Sequence, residues 1–408
     1  MEYPVEVKNA IKLLGEHGFE AYIVGGCLRN IMMGKEPHDW DMTTSALPNV
    51  TAEIFQQNGY HVIETGLKHG TVTVISNDLP LEITTFRIDG QYSDSRHPDS
   101  VTFTPSLSED LARRDFTVNA MAYNEKTGLV DLYEGKEDLK KMLLRAVGDP
   151  EKRFTEDALR ILRAFRFSAE HGFTIESKTR EAIIKCRKGL REISRERIYS
   201  ELSRALMGDF ASKALSELFS CGLMPYIFTF YSDSFAPKCE AFDLLPKKKT
   251  TRLAWLIINF PKKEAENALI SLKMSNADKA AVKSILDATA FLSELDRADM
   301  ITARKFLQKF GEHAMDAITV AYRLGYDVKD FKGLIDIAEG EDFPRCIADL
   351  AISGSVLTSL GAKGKQTGKL LAFLLEKATA EPSLNTPQSL ISLAKKYILE
   401  NKNESKDN

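Results

Sequence analysis

The stretch VGGCLRNIMMGKEPHDWDMTTSA, from Val24 to Ala46, decides how the rest of the chain is read. AYIVGG, from Ala21, reads as a short buried strand running into a tight turn; residues near 26–33 read as a helix and HDWDMTT (38–44) as a second strand. Side chains two apart on a strand share a face, so Asp39 and Asp41 point together while Trp40 points away. Adjacent carboxylates repel, and a divalent cation between them relieves the repulsion; magnesium suits such oxygen donors. Gly25 and Gly26 lack a Cβ, so a triphosphate can approach the backbone. The N–H groups opening the helix favour anionic oxygens, and Arg29 follows one turn on. Alone, a DxD pair reads as a polar strand end and a Gly-Gly turn as a fold element; their coupling is what points to chemistry.

On either side of this stretch, residues 5–17 read as an amphipathic helix closed by Gly18, and residues 50–57 as another helix. GTVTVIS (70–76), LEITTFR (81–87) and NAMAYN (119–124) are strand-like, giving a five-stranded mixed sheet with helices on a face. From about Gly135 the apolar period lies near 3.6 and strands disappear. The expected class is α+β: a mixed-sheet head over 1–144, then a helical neck (145–207), body (208–290) and tail (291–400), with a disordered end at 401–408. DGQYSDSRHPDS, from Asp89, is small and polar and reads as a mobile loop of the functional kind.

A chain of 408 residues exceeds what one core usually serves. Its apolar stretches fall well short of the roughly 20 residues of a bilayer crossing, which excludes membrane insertion. MEYPVEVKNA lacks the basic start and apolar run of a secretion signal, so a cytoplasmic protein is expected. Five cysteines without CxxC pairing suggest neither a disulfide framework nor a zinc site. A net charge of −3 makes no global case for nucleic acid, yet Tyr133 to Arg204 carries 18 Lys and Arg against 13 Asp and Glu. The seven histidines form no ligand cluster; His38, His69 and His97 read as solvated or satisfied.

Two further motifs carry chemistry. LARRDFTVNAMA sets Arg113, Arg114, Asp115 and Asn119 just before a strand: a carboxylate accepts well from a 2′-OH and paired arginines suit phosphates or base edges, although Asp115 also reads as a helix cap. TEDALRILRAFRF carries Glu156, Asp157, Arg160 and Arg163. The Gly-Gly turn with DxD resembles the polymerase-β-like nucleotidyltransferase signature. The sequence around it, through about Arg197, resembles the bacterial class II tRNA CCA-adding enzymes and poly(A) polymerases.

That resemblance implies a catalytic, metal-bearing Asp39 and Asp41, with Glu82 at the third superfamily carboxylate or else partnering a nearby arginine. It implies that Asp115 contacts the ribose, that Asp131, Gly135, Asp138, Leu139 and Arg145 form a hinge, and that Arg195, Glu196 and Arg197 hold the neck helices. Glu156, Asp157 and Arg160 match the EDxxR template for the incoming base; Gly25, Gly26, Arg29, Arg114, Asn119 and Arg163 complete the nucleotide site. Read as i and i+3, Asp157 and Arg160 share one helix face. Asp accepts and Arg donates, which fits cytosine and adenine, each with an amino group beside an unprotonated ring nitrogen, and mismatches uracil and guanine. The loop, with Asp89, Tyr92, Asp94 and Arg96, is implied in switching from C to A addition. Two departures stand out: Asn30 where the family often has Asp, and Trp40 where an aliphatic residue is common.

The implied activity is addition of C, C and A to the tRNA 3′ end from CTP and ATP with Mg2+, the tRNA acceptor arm being the partner and no protein partner or membrane being expected. An A-only enzyme and a poly(A) polymerase share the fold and the DxD chemistry and remain open. A non-catalytic RNA-binding protein is opposed by the intact Asp39, Asp41, Asp157 and Arg160.

Overall fold

Val24 closes a strand and Gly25 opens a helix with no residue between them. Gly25 makes the turn at a φ of 71°, a conformation that a side chain would strain. The computed structural model describes residues 1–37, 39–90, 101–228 and 230–404. The chain divides into two compact units, residues 1–244 with 259–274, and residues 245–258 with 275–408.

The first unit begins with α1 (Val5–Glu16), β1 (Ala21–Val24), α2 (Gly25–Met32), β2 (Trp40–Thr44) and α3 (Pro48–Gln57). Next come β3 (His61–Ile63), β4 (Thr71–Ser76), β5 (Leu79–Thr85), β6 (Arg87–Asp89), β7 (Val101–Phe103), α4 (Leu107–Ala112), β8 (Met121–Asn124) and β9 (Gly128–Asp131). Strands β3-β4-β5-β2-β1-β8-β9, in that order, form one sheet, while β6 and β7 pair as a separate antiparallel ribbon. Only β2 and β5 run parallel within the large sheet, so it is mixed as the sequence predicts. All four residues of β1 are buried, as a central strand requires, and β4 alternates between buried and half-buried positions along its length. Tyr22, Val24, Phe86, Leu111 and Ala122 pack into a core cluster in this region.

The sheet has seven strands, not five. The two that sequence reading misses, β3 and β9, are edge strands of three and four residues without a buried alternation, so no period-2 pattern marks them. Nor do strands end at Gly135, because Leu143–Leu144 pairs in parallel with Thr174–Ile175.

The helical part of this unit runs through α5 (Gly135–Lys140), α6 (Pro150–Glu156), α7 (Leu159–His171), α8 (Ser177–Cys186), α9 (Arg195–Met207) and α10 (Ala211–Ser220). α7 is the pivot, packing on both α9 and α10. The chain passes so close to it after α9 that a Cβ on Gly208 would fall 2.3 Å from the Ala169 carbonyl oxygen, which already accepts a 2.9 Å hydrogen bond from the Phe210 N–H.

The described residues of the second unit form helices and connecting loops with no strand among them, and Lys249–Leu256, Asn276–Ser293, Met300–Phe310, Ala314–Leu324, Lys365–Ala380 and Pro387–Glu404 are among its longer or central helices. Ser275 and Asp299 cap two of them by accepting from the Asp278 and Thr302 N–H groups. Leu357, Leu370, Leu374 and Leu390 are fully buried in one of its clusters. No helix among the described residues is long and apolar enough to cross a membrane.

Candidate active site

A cleft of about 920 Å3 in the first unit gathers residues from the sheet side and from α7. Gly25, Gly26, Arg29, Asp39, Asp41, Arg114, Asp115, Asn119, Asp157, Arg160 and Arg163 all line it. Glu82 does not; it stands opposite Asp41 in the β2–β5 register. Tyr92, Asp94 and Arg96 lie outside the described residues, as do His38 and His97, and only the backbone of Asp89 is described.

Asp39 is exposed just ahead of β2 and Asp41 is half-buried within it, while Trp40 turns inward, its ring centre 6.5 Å from that of Tyr3. Burial raises the Asp41 carboxyl above its ordinary value; Glu82 and Asp39 push the same way, opposed by Arg114 and Arg29. Among the described residues no three such side chains close into a ready cation cluster. What fits an ion here is the repulsion that the carboxylates carry and their oxygen-only donor set, which suits a hard divalent cation.

Beside them, a Cβ on Gly25 would sit 3.3 Å from Arg114 Nη1 and 3.5 Å from Asp41 Oδ2, so a side chain would fill the approach that glycine leaves open. Val24, at the N-cap of α2, makes no side-chain cap, and the N–H groups that open a helix favour an anion.

A buried polar chain crosses the floor of the cleft. Arg29 Nη1 donates to Asn119 Oδ1 (2.6 Å), Asn119 Nδ2 donates to Asp115 Oδ1 (3.1 Å), and Arg163 Nε donates to Asp115 Oδ2 (2.8 Å). Burial alone would raise the Asp115 carboxyl, but Arg163 and the Asn119 amide outweigh it and hold the group well below the usual carboxylate range. Asp115 is therefore an ionised acceptor. It accepts from the neighbouring Phe116 N–H and does not cap the short turn at Thr117–Asn119.

Asp157 and Arg160 do not share a helix face as their spacing predicts. Asp157 is extended, in the break between α6 and α7, because its carboxylate accepts from the Leu159 N–H (2.9 Å) and so starts a new helix instead of continuing the old one. Its other oxygen takes Arg197 Nη2 at 2.9 Å. Arg160 is held by Glu156 Oε2 (2.8 Å) and by the carbonyl oxygens of Arg153 (3.1 Å) and Arg113 (3.0 Å). An acceptor and a fixed donor thus line one cleft without neutralising each other.

Asp110 is a residue that the sequence reading passes over. It is fully buried, and its carboxylate accepts from Arg113 Nη2 (2.7 Å), Arg114 Nη2 (3.1 Å) and Thr43 Oγ1 (3.3 Å). The i+3 and i+4 spacing to two arginines was the available signal. Asp110→Asn leaves those arginines without their countercharge and should lower unfolding stability by about 3–5 kcal/mol in urea melts. Burial raises the Asp110 carboxyl, but Arg114 and Arg113 outweigh it and depress it. Its stabilisation is therefore present above an unfolded value of about 3.9 and lost as pH falls through the lower folded value; the Asn variant should lack that acid-limb loss. Arg166, Phe167, Glu170 and His171 also line the cleft unforeseen; with Arg160 and Arg163 they recur at helical spacing along α7.

A family model described as the poly(A) polymerase head domain matches residues 21–145, and one described as a probable RNA and SrmB-binding site of polymerase A matches residues 172–234. The chain is 34% identical over 402 residues to a CCA-adding enzyme of Leuconostoc mesenteroides, covering 97% of this chain and 96% of that one. It is 47% identical over 199 residues to one of Oceanobacillus iheyensis, about half (49%) of each chain. The crystal structure of the Bacillus stearothermophilus CCA-adding enzyme in complex with CTP superposes with a TM-score of 0.85 at 30% identity, covering 100% of both chains.

Proposed function

The chain belongs to the CCA-adding enzyme family, and on that premise we propose that it is a tRNA nucleotidyltransferase adding C, C and A in turn to the tRNA 3′ end from CTP and ATP. The observation that carries this reading is the meeting, in one cleft, of the Asp39 and Asp41 carboxylates with Asp157 and Arg160, side chains able to read a base without a nucleic-acid template.

In this mechanism the triphosphate lies against the opening N–H groups of α2, with Arg29 and Arg163 balancing its charge. The ionised Asp115 accepts from the ribose 2′-OH. Asp157 accepts from the amino group of cytosine or adenine, and Arg160 donates to the adjacent ring nitrogen, its guanidinium plane fixed by Glu156 and the Arg113 carbonyl. The tRNA 3′-OH attacks the α-phosphate in line and pyrophosphate leaves. Asp39 and Asp41, with Glu82 opposite Asp41 in register, would hold magnesium, which when bound lowers the hydroxyl pKa and offsets phosphate charge.

We assign the head to 1–144, the neck to 145–207, the body to 208–290 and the tail to 291–400. The basic neck contacts acceptor-arm phosphates, and the tail is a tRNA-binding region that reads shape, not sequence. The loop over residues 89–100 serves the change from C to A addition, and the enzyme works in the cytoplasm.

The test is an extension assay with tRNA lacking CCA, ending in C, or ending in CC, supplied with CTP, ATP or both. Growth of the first substrate by three nucleotides and then arrest is expected. Extension of the CC substrate alone would mean an A-only enzyme, and a run of many A residues a poly(A) polymerase. With the loop replaced by a Gly-Ser linker, growth should stop at CC; undiminished A addition would remove the loop from that role.

A further inference from the structure

Phe167 lies on α7 and is only 4% exposed. Around its ring centre stand the guanidinium carbons of Arg166 at 4.4 Å, Arg29 at 5.0 Å and Arg163 at 5.2 Å. Phe116 meets the ring edge-on at 5.8 Å and His171 lies nearly parallel to it at 6.3 Å. All three arginines line the cleft described above.

Three guanidiniums so close together repel one another, and among the described residues carboxylates form ion pairs with two of them: Asp115 with Arg163 at 2.7 Å, and Glu201 and Glu170 with Arg166 at 3.2 and 3.9 Å. The bonded partners of Arg29 among the described residues are neutral amide oxygens, those of Asn119 (2.6 Å) and Asn30 (3.0 Å). Full pairing with carboxylates would hold such a cluster together but cancel the charge that an anion needs. An aromatic face attracts cations and leaves their charge intact. The neighbouring imidazole adds no fourth charge, because burial, and then Arg29 and Lys35, push His171 down to about 3.

We propose that Phe167 is a positioning residue whose ring gathers Arg29, Arg163 and Arg166 into one receptor for the triphosphate. This rests on the nucleotide site proposed above. The receptor acts on the polyphosphate, the part common to CTP and ATP and retained in the pyrophosphate product, and it has no part in base choice.

Phe167→Leu and the more adaptable Phe167→Met remove the ring while keeping apolar volume; Phe167→Tyr restores it. Both aliphatic variants should raise KM for CTP and ATP alike by about tenfold, with kcat within about threefold, and weaken pyrophosphate binding in calorimetry by the same factor. The Tyr variant should stay within about twofold of the parent, and the CTP-to-UTP preference should not move in any of them. Circular dichroism establishes which variants fold, and either folded aliphatic variant suffices. Unchanged KM and pyrophosphate affinity in it, or equal loss in the Tyr variant, would overturn the role of Phe167. Arg163→Ala separates this from the underlying reading: if that variant also leaves KM unchanged, the nucleotide site itself is misassigned.

Discussion

Asp41→Asn is expected to lower nucleotide addition by at least about 10^3-fold while leaving the melting temperature unchanged or higher. The two effects have one cause. Burial, Glu82 and Asp39 all make the ionised Asp41 unfavourable in the folded chain, so an isosteric amide relieves repulsion that Arg114 and Arg29 offset in part and a bound cation would offset further. The same amide, having lost the negative charge, is a weaker ligand for magnesium than the carboxylate. Asp39→Asn, at an exposed position, should lose activity similarly with no change in stability. Single-turnover extension of tRNA measures the first effect. Thermal melting with and without magnesium and CTP measures the second: the cation-dependent stabilisation of the parent should be absent from both variants. Near-normal turnover in either would mean that the chemistry lies elsewhere.

Asp157→Asn should erode base choice instead of rate. Asparagine can keep the Oδ1 acceptor that meets the Leu159 N–H and starts α7, but it replaces the second carboxylate oxygen by an N–H donor. That donor suits the uracil carbonyl and opposes the cytosine amino group. One corrected contact out of two should lower the CTP-to-UTP preference by about 10- to 100-fold, since each unpaired buried polar group costs about 1–3 kcal/mol. The Arg160 mismatch with uracil remains, so discrimination should not vanish. Competition between CTP and UTP on tRNA lacking CCA reads the ratio directly. An unchanged ratio with a lower rate would make Asp157 a structural residue that serves only Arg197 and the helix start.

The sheet and the approach to the carboxylates were legible because they rest on short-range rules: a strand, a glycine turn with positive φ, a helix, and alternation that turns Trp40 inward and leaves Asp41 on the cleft. The edge strands β3 and β9 were not, since half-exposed strands bury no alternating face. The Asp157–Arg160 spacing misled for a different reason. A helix period assumes an unbroken helix, and an aspartate that caps its own successor breaks it. The parts of the site that depend on tertiary packing left little trace. Asp110 is recognisable as the anchor of Arg113 and Arg114 only once its burial is known. Phe167 reads as one more apolar residue until Arg29, distant in sequence, is seen beside its ring.

The most direct measurement is a crystal structure of this protein with CTP and magnesium. The cytosine amino group is expected at the Asp157 carboxylate, N3 at Arg160, the ribose 2′-OH at Asp115, and the triphosphate between the start of α2 and the arginines around Phe167. Cytosine bound away from both Asp157 and Arg160, with the triphosphate still beside Asp39 and Asp41, would contradict the claim that this protein's own side chains choose the base.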